Sequence, residues 1–286
     1  MDGTEPVVHM FWSGGWDSTF RILQLVLLQK RTVQPHYLID HERQSTLLEL
    51  KAMANIRRAL ADVDAEAPSR IRPLKITAVS DVLADPDITE HYRSIRKRGI
   101  LGTQYEWMAR YAEQEQIPRV EVCDYQSSRM AAFVGGKVVP CETIEGVPSW
   151  RVADEHLVGD MQLFKRFSLP SFGMVKRDTL PLVEEYGFRQ LLGLTWYCHR
   201  PIKGKPCGMC NPCSYVIGNR MYDRIPWSAR LRRHRKRASR SARDTWRNLA
   251  DRMSRPVHAL AGWRRPASSA SAHTDVDDGH RNESRA

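Results

Sequence analysis

The stretch Met10-Phe11-Trp12-Ser13-Gly14-Gly15-Trp16-Asp17-Ser18-Thr19-Phe20 decides the fold of this 286-residue chain. The apolar residues before the glycines predict a buried strand, and the apolar run at 20–28 predicts a mostly buried helix. A strand that turns into a helix through glycines leaves backbone N–H groups unpaired at the positive end of the helix dipole. The sequence therefore predicts a turn that binds an anion such as phosphate.

Polar side chains of this turn add to the prediction. The hydroxyls of Ser13 and Ser18 supply further hydrogen-bond donors. Asp17 places a negative charge where an anion should bind, and a Mg²⁺ ion that bridges carboxylate and phosphate oxygens accounts for it. The pattern is not the G-x-x-x-x-G-K-[ST] loop, because no lysine follows the glycines. The alternative interpretation is a purely structural glycine turn, in which Asp17 caps the helix and no phosphate binds.

The same residues resemble the S-G-G-x-D-S signature of the PP-loop ATP pyrophosphatases. Enzymes of that class cleave ATP between the α- and β-phosphates and usually leave a carrier activated as its adenylate. The resemblance implies a catalytic role for Asp17. It also implies that ATP and Mg²⁺ bind at Ser13, Gly14, Gly15, Trp16, Asp17, Ser18 and Thr19.

Hydrophobic periodicity continues the strand–helix alternation along the chain. It predicts strands at 33–40, 71–79 and 119–123 and helices at 45–60 and 105–116. This order indicates an α/β fold with a doubly wound parallel sheet, whose ligands bind at the carboxyl ends of the strands. Residues 127–168 show no clean period and predict an irregular insertion over the active-site edge. Asp178 is expected to cap a short helix that stops at Gly187.

The second informative motif is a C-x8-C-x2-C-x2-C pattern formed by Cys198, Cys207, Cys210 and Cys213. Four thiolates around one ion describe a closed structural zinc site, with Cys198 expected to come from a preceding strand. Disulfides and a redox C-x-x-C pair are competing interpretations. Another is that His199 replaces one thiolate.

Together, the two motifs resemble the 7-cyano-7-deazaguanine synthases of queuosine-type biosynthesis, over roughly residues 7–220. The string Thr195-Trp196-Tyr197-Cys198 is similar to the T-W-S-C of that family, and the cysteine knuckle at 207–213 matches as well. The resemblance implies a doubly wound sheet, often in a homodimer. It also implies an ATP- and ammonia-dependent conversion of 7-carboxy-7-deazaguanine to the nitrile through an adenylated carboxylate.

Three further segments bear on this resemblance. Lys176, in Lys176-Arg177-Asp178, lies where the family has K-x-E, so the resemblance makes it a catalytic phosphate ligand; the alternative is an exposed lysine near a helix start. Residues 99–104 replace the P-G-R-N of the family, and 123–127 replace its Y-P-D-C-R. The chain therefore departs from the family where the base should bind, and is expected to be a divergent member.

Positive charge is concentrated at the end of the chain. Fifteen of the 44 Lys and Arg residues but only six of the 33 Asp and Glu residues lie at 228–286, so most of the net charge of +11 belongs there. We expect a PP-loop domain at 1–227, which includes the zinc knuckle at 198–213, followed by a basic, largely disordered tail at 228–286. This tail is either an arm for RNA or an acidic surface, or a solvated segment with one amphipathic helix.

Three functional hypotheses follow. The leading one is a cytoplasmic ATP-dependent ligase that couples a small-molecule carboxylate to ammonia, since no signal peptide or membrane span is expected. The second is a tRNA-modifying PP-loop enzyme with the tail as its RNA arm; a thiolating version would need Cys123 or Cys141 near ATP. The third is a non-catalytic nucleotide sensor.

Overall fold

The structure is a computed structural model that describes residues 6–142, 148–218 and 224–253. The chain divides into two compact units, 1–235 and 236–286. The strands are β1 (Val8–Phe11), β2 (Val33–Ile39), β3 (Lys75–Ala78), β4 (Val120–Glu121), β5 (Val138–Glu142), β6 (Pro148–Val152) and β7 (Phe167–Ser168). The α-helices are α1 (Trp16–Leu23), α2 (Thr46–Leu60), α3 (Pro86–Arg98), α4 (Gln104–Gln114), α5 (Ala131–Val134), α6 (Thr179–Glu185), α7 (Arg189–Gly193), α8 (Asn211–Gly218) and α9 (Trp227–Met253).

Five of these strands form one parallel sheet in the order β3-β2-β1-β4-β7. Val8 lies opposite Val33 across β1 and β2, and Met10 lies opposite Glu121 across β1 and β4. The predicted α/β fold with a parallel sheet is therefore confirmed. The chain runs outward from β1 to β3 and then returns to the other side of β1, so β1 and β4 flank the switch point where such sheets bind ligands.

Helices cover both faces of the sheet. Neighbouring residues on a strand point to opposite faces; accordingly, Met10 packs with α1, α2 and α7, whereas Phe11 packs with α3 and α4. The end of α1 widens into one π-type turn over Gln24–Leu28, which keeps 25–27 of the predicted helical run buried, whereas Leu28 at its end is exposed.

Polar side chains also contact one another within the core. Arg21 of α1 donates to both carboxylate oxygens of Glu121 on β4, at 2.8 and 2.7 Å. On β2, the ring of His36 lies 2.8 Å from the hydroxyl of Tyr111 and 3.0 Å from the ring of His9. Burial lowers the pKa of His36 to about 3. This imidazole is therefore neutral at physiological pH.

Several local predictions need correction. The segment 127–168 is not an irregular insertion, because it contains the antiparallel hairpin β5-β6 and leads into the edge strand β7. Cys198 does not come from a strand; α7 ends at Gly193 and the cysteine follows in a loop. Asp178 does precede α6, but its carboxylate accepts from the N–H of Val175, so it does not cap the helix with its side chain.

The basic segment at the end of the chain begins with the 27-residue helix α9, which carries exposed tryptophans at 227 and 246. None of the helices in the described ranges combines the length and the apolar composition that a membrane-spanning helix needs. Of the tail at 228–286 that is expected to be largely disordered, residues 228–253 lie in α9. Residues 254–286 lie outside those described, and there the disorder stays a prediction.

Candidate active site

The glycine turn lies where the sequence predicts it, between the end of β1 and the start of α1. Gly15 occupies the N-cap position of α1 with extended backbone, and Asp17 lies in the first helical turn. Gly14 has a φ of +66°, and a Cβ there would lie 2.8 Å from the carbonyl oxygen of Glu49 on α2. Only glycine allows this backbone conformation and so close an approach between the turn and α2.

Hydroxyl groups tie the turn to itself. The N–H of Ser13 donates to Oγ of Ser18 at 3.3 Å, and the two Oγ atoms also lie 3.3 Å apart. Thr19 is predicted to belong to the ATP-binding set, and its side chain faces the core rather than the cavities at the turn. Thr19 is fully buried, and its Oγ1 accepts a 3.0 Å hydrogen bond from the indole of Trp12. It supports the turn from the core side.

Two cavities meet at the turn. The sheet cavity, of about 360 Å³, opens over the carboxyl ends of β1, β2 and β4. The knuckle cavity, of about 280 Å³, lies between the turn and the segment that carries the four cysteines. Both cavities are lined by the same six residues: Ser13, Gly15, Trp16, Asp17, Arg43 and His199. A group bound at the turn is thus accessible from both sides.

The sheet cavity contains a second acid. Asp124 follows β4 and accepts a hydrogen bond from the hydroxyl of Tyr105. Burial raises the pKa of Asp124 to about 6, and the charge of Asp17 adds to this rise, whereas the Tyr105 hydrogen bond opposes it. Burial also raises the pKa of the neighbouring Cys123 thiol well above its ordinary value. The thiol is therefore protonated at neutral pH.

Arginine and aromatic rings characterise the knuckle cavity. The guanidinium of Arg224 donates to the carbonyl and hydroxyl oxygens of Thr195, at 2.6 and 2.8 Å. It lies 5.5 Å from the ring centroid of Trp16 and 5.0 Å from that of Tyr197. These distances are typical of cation–π contacts. Arg43, which lines both cavities, is 3.5 Å from the carboxylate of Asp40.

The four cysteines of the predicted metal site come together in a knuckle. Their sulfur atoms all lie within 4.8 Å of one another, with 3.8 Å between Cys207 and Cys213 and 3.9 Å between Cys198 and Cys210. In the described chain all six cysteines are free thiols, so no disulfide forms. Four sulfurs at a Zn–S distance of about 2.3 Å in a tetrahedron stand about 3.8 Å apart. The donor set and its spacing fit a single tetrahedral ion.

The first two turns of helix α9, up to Arg233, pack directly on this knuckle. Gly208 has a φ of +79°, and a Cβ there would lie 2.4 Å from the carbonyl oxygen of Ala229. Arg232 donates to the carbonyl oxygens of Pro206 and Cys207 at 3.0 and 3.2 Å. Arg233 reaches Oγ of Ser214 at 2.8 Å. The first turns of α9 therefore hold the loop that carries the cysteines.

Sequence reasoning missed three residues that the fold brings to the turn: Arg43, Asp124 and Arg224. A signal existed for Asp124 and Arg43, because both follow predicted strands at the ligand-binding edge. Nothing in the local sequence marks Arg224. The backbone of Lys176 lies in a short 3₁₀ turn before α6, but its side chain is outside the described part of the structure. Its role as a phosphate ligand stays a prediction.

Comparisons with known proteins identify no family for this chain. No protein-family model matches the chain, and no curated protein sequence matches it. Among solved structures, the chain is similar to the U34-tRNA thiolase NcsA from Methanococcus maripaludis with its 4Fe-4S cluster, at 14% identity and a TM-score of 0.38. That alignment covers 82% of this chain and 73% of the thiolase. At such a distance, neither the activity nor the cluster of that protein transfers to this chain.

Proposed function

We propose that the protein is a PP-loop enzyme that uses ATP and Mg²⁺ to adenylate a small-molecule carboxylate and then couples it to ammonia. The observation that carries the proposal is the turn at 13–19. In this turn, the backbone of Gly14 lies close to α2, and the hydroxyls of Ser13 and Ser18 are within hydrogen-bond distance of each other. Asp17 lies in the first turn of α1, and the whole turn lies at the switch point of a parallel sheet. This is the local geometry that an anionic phosphate chain requires.

The proposed chemistry has two steps. A carboxylate oxygen of the acceptor attacks the α-phosphorus of ATP, the bond to the β-phosphate oxygen breaks, and pyrophosphate leaves with the electron pair. Ammonia then attacks the activated carbonyl carbon, AMP leaves with the electron pair of its C–O bond, and one proton passes to solvent. No general base is needed for the first step, because the acceptor carboxylate is already ionised.

Residues of the turn would stabilise the leaving pyrophosphate. The N–H groups at the start of α1 and the hydroxyls of Ser13 and Ser18 supply donors for phosphate oxygens. Asp17 is the carboxylate among these donors, and a carboxylate beside phosphate oxygens is the donor set that Mg²⁺ prefers. When bound there, Mg²⁺ neutralises charge on the pyrophosphate. Lys176 is our candidate for a further contact to the β- and γ-phosphates.

Product analysis tests this proposal. The full chain is incubated with ATP, Mg²⁺, ammonium and 7-carboxy-7-deazaguanine, the acceptor that the family resemblance suggests. We expect AMP together with the amide. A nitrile would follow only if the amide oxygen attacks a second ATP with loss of pyrophosphate, and AMP then leaves with the C–O electron pair as two protons pass from nitrogen to solvent. Asp17→Asn should abolish AMP, whereas the exposed Asp62→Asn should not. AMP without a product from this acceptor would keep the adenylation and overturn the acceptor. Tight ATP binding without AMP on any acceptor would favour the nucleotide sensor.

One observation favours the tRNA-thiolating alternative. Cys123 lines the sheet cavity together with Asp17, so a cysteine does lie near the expected position of ATP. Its raised pKa opposes this use, because the thiolate is the form that accepts or attacks sulfur. Cys141, on β5, lines a different cavity beside Trp150. Loss of thiolated tRNA in Cys123→Ser, with no loss in Cys141→Ser, would favour the thiolase over the ligase.

We further propose that the knuckle binds one structural Zn²⁺ through Cys198, Cys207, Cys210 and Cys213. The sulfur separations of 3.8 and 3.9 Å support one shared ion, since the thiolates of a four-iron cluster bind four different irons and stand further apart. Elemental analysis should find about one zinc per chain, lost in Cys210→Ser and kept in Cys141→Ser. Iron with acid-labile sulfide would overturn this assignment.

A further inference from the structure

The part of helix α9 that belongs to the second compact unit, residues 236–253, has no role in the proposed function. Its apolar residues recur every three or four positions, which is the spacing of one helix face. This apolar row consists of Ala238, Ala242, Trp246, Leu249 and Met253. At about 100° per residue, the five positions fall within about 80° of the helix circumference. The apolar row therefore follows one side of the helix.

Charged residues lie on the other sides of this segment. It contains six Lys or Arg residues and two Asp residues, for a net charge of +4. Four of the cations form a basic row, whose centre lies about 130° around the helix from the centre of the apolar row. The basic row consists of Lys236, Arg240, Arg243 and Arg247. Asp244 and Asp251 lie almost opposite the apolar row, at about 170°. No acid therefore adjoins the apolar row.

Both rows are open to solvent where the structure describes their side chains. Trp246 is 72% exposed, and Lys236, Arg243 and Arg247 are exposed as well. Within the described ranges these three cations form no ion pair, and Arg243 donates its Nε–H to the carbonyl oxygen of Ser239 in the same helix. An exposed indole beside unpaired cations indicates a partner that is apolar at one depth and anionic at another.

Other partners account for only one of the two rows. RNA is bound through phosphates by cations, and this contact does not require an apolar row along the helix. A second copy of the helix would cover the apolar row, but a coiled coil needs its pattern over at least about three heptads, and this row covers about two. The interface of an anionic bilayer accommodates both rows, because it places acyl chains beneath negatively charged headgroups.

We propose that residues 236–253 of α9 bind the surface of a bilayer that contains anionic phospholipids. The helix lies in the plane of the interface, with the apolar row toward the acyl chains and Trp246 at the headgroup boundary. Lys236, Arg243 and Arg247 contact anionic headgroups beside it. Binding is reversible, since such a helix adheres to the interface and does not span the bilayer.

Vesicle co-sedimentation of the full chain tests this proposal. The vesicles consist of phosphatidylcholine alone or contain about 30% phosphatidylglycerol. We expect at least about tenfold tighter binding to the anionic vesicles, because each cation near the surface contributes about a fivefold gain. Equal binding to the two kinds of vesicle, or binding to neither, would overturn the proposal. The assay contains no ATP, so its result is independent of the proposed function.

One variant tests the apolar row. Trp246→Ala should weaken binding to the anionic vesicles at least about fivefold, because the indole no longer enters the interface. Leu47→Ala is the control, since it removes an apolar side chain that is 80% exposed on α2. Alanine favours helix more than tryptophan does, so Trp246→Ala does not act by unfolding α9. Unchanged binding in Trp246→Ala would overturn the proposal.

A second variant tests the basic row. The pair Arg243→Gln and Arg247→Gln should weaken binding to the anionic vesicles at least about tenfold and leave the weak binding to phosphatidylcholine unchanged. The pair Lys51→Gln and Arg58→Gln is the control, because it removes the same charge from exposed positions of α2. Equal losses in the two pairs would show that net charge alone matters, and the assignment to α9 would be wrong.

The other two partners are outcomes of the same set of measurements. If the chain binds tRNA more tightly than anionic vesicles, and only the arginine pair weakens that binding, α9 is an RNA arm and the proposal is wrong. If sedimentation equilibrium shows a dimer that Trp246→Ala dissociates, and no vesicle binds, the apolar row faces a second copy. That result would overturn the proposal as well.

Discussion

The backbone N–H of Trp196 donates a 2.9 Å hydrogen bond to the carbonyl oxygen of Gly14. This bond joins the glycine turn to the segment that leads into the cysteine knuckle. Trp196 also donates its indole N–H to the carbonyl oxygen of Cys198, at 2.8 Å. A single residue therefore links the proposed phosphate site to the first of the four thiols, which is why the knuckle forms a wall of the same cleft.

We expect Gly14→Ala to weaken ATP binding at least tenfold and to lower the Tm. The new Cβ would lie 2.8 Å from the carbonyl oxygen of Glu49, so the turn must move away from α2. Gly136→Ala is the matched control, because Gly136 also has a positive φ, of +74°, but has nothing within 4 Å of a Cβ. Equal effects of the two changes on ATP binding would show that backbone strain, and not the close approach, matters.

Removing Arg232 should loosen the knuckle. Arg232→Ala deletes two hydrogen bonds from a charged donor to the carbonyl oxygens of Pro206 and Cys207, with an expected loss on the order of 2 kcal/mol in the free energy of unfolding. Faster zinc transfer to a chromogenic chelator is the direct measurement. Arg243→Ala, which removes a bond within α9 itself, is the control. Identical transfer rates in the two variants would contradict a role for Arg232 in holding the site.

Neutralising one partner of the buried pair Arg21 and Glu121 should destabilise the protein strongly. The side chains are only 5% and 1% exposed, so Glu121→Gln leaves an uncompensated guanidinium in the core, at a cost of about 3–5 kcal/mol. The double variant Arg21→Met and Glu121→Leu should recover most of this loss, because neither charge remains. Urea unfolding measures the free energy of unfolding of the single and the double variant. A double variant as unstable as the single one would mean that packing, rather than the charge, determines the cost.

Asp124 should make stability depend on pH. Its pKa is raised from 3.8 to about 6 in the folded protein, so the fold favours the protonated form. The stabilisation from this group is complete below pH 3.8 and is lost as the pH rises through about 6. Asp124→Asn cannot ionise, and its stability relative to the wild type should therefore increase between pH 4 and pH 6 and then level off.

Urea unfolding at several pH values measures this dependence, with Asp62→Asn as an exposed control that should show no such trend. A difference between Asp124→Asn and the wild type that stays constant over the same pH range would show that the carboxyl of Asp124 is not perturbed by its burial.

Local patterns predicted those elements of the fold that are long enough to show a period. The core strands β1 and β2 and the helices α2 and α4 lie where hydrophobic periodicity places them. Strand β7 spans two residues and the hairpin lies in a segment of mixed polarity, so neither produces a readable pattern. Helix α3 was within reach of sequence reasoning, since Asp85 and Pro86 form a start signal and Asp85 accepts from the N–H of Ile88 at 3.0 Å.

The sequence by itself determined the glycine turn with its polar groups and the thiol set of the knuckle, because in both cases the groups lie within about one to two dozen residues of one another. Only the tertiary structure decided what faces them. Asp124 meets the turn because the parallel sheet places the carboxyl end of β4 beside that of β1. Arg224 meets it because Thr195 and the rings of Trp16 and Tyr197 hold its guanidinium. Contacts between residues so far apart in the chain depend on strand order and packing, which no local pattern encodes.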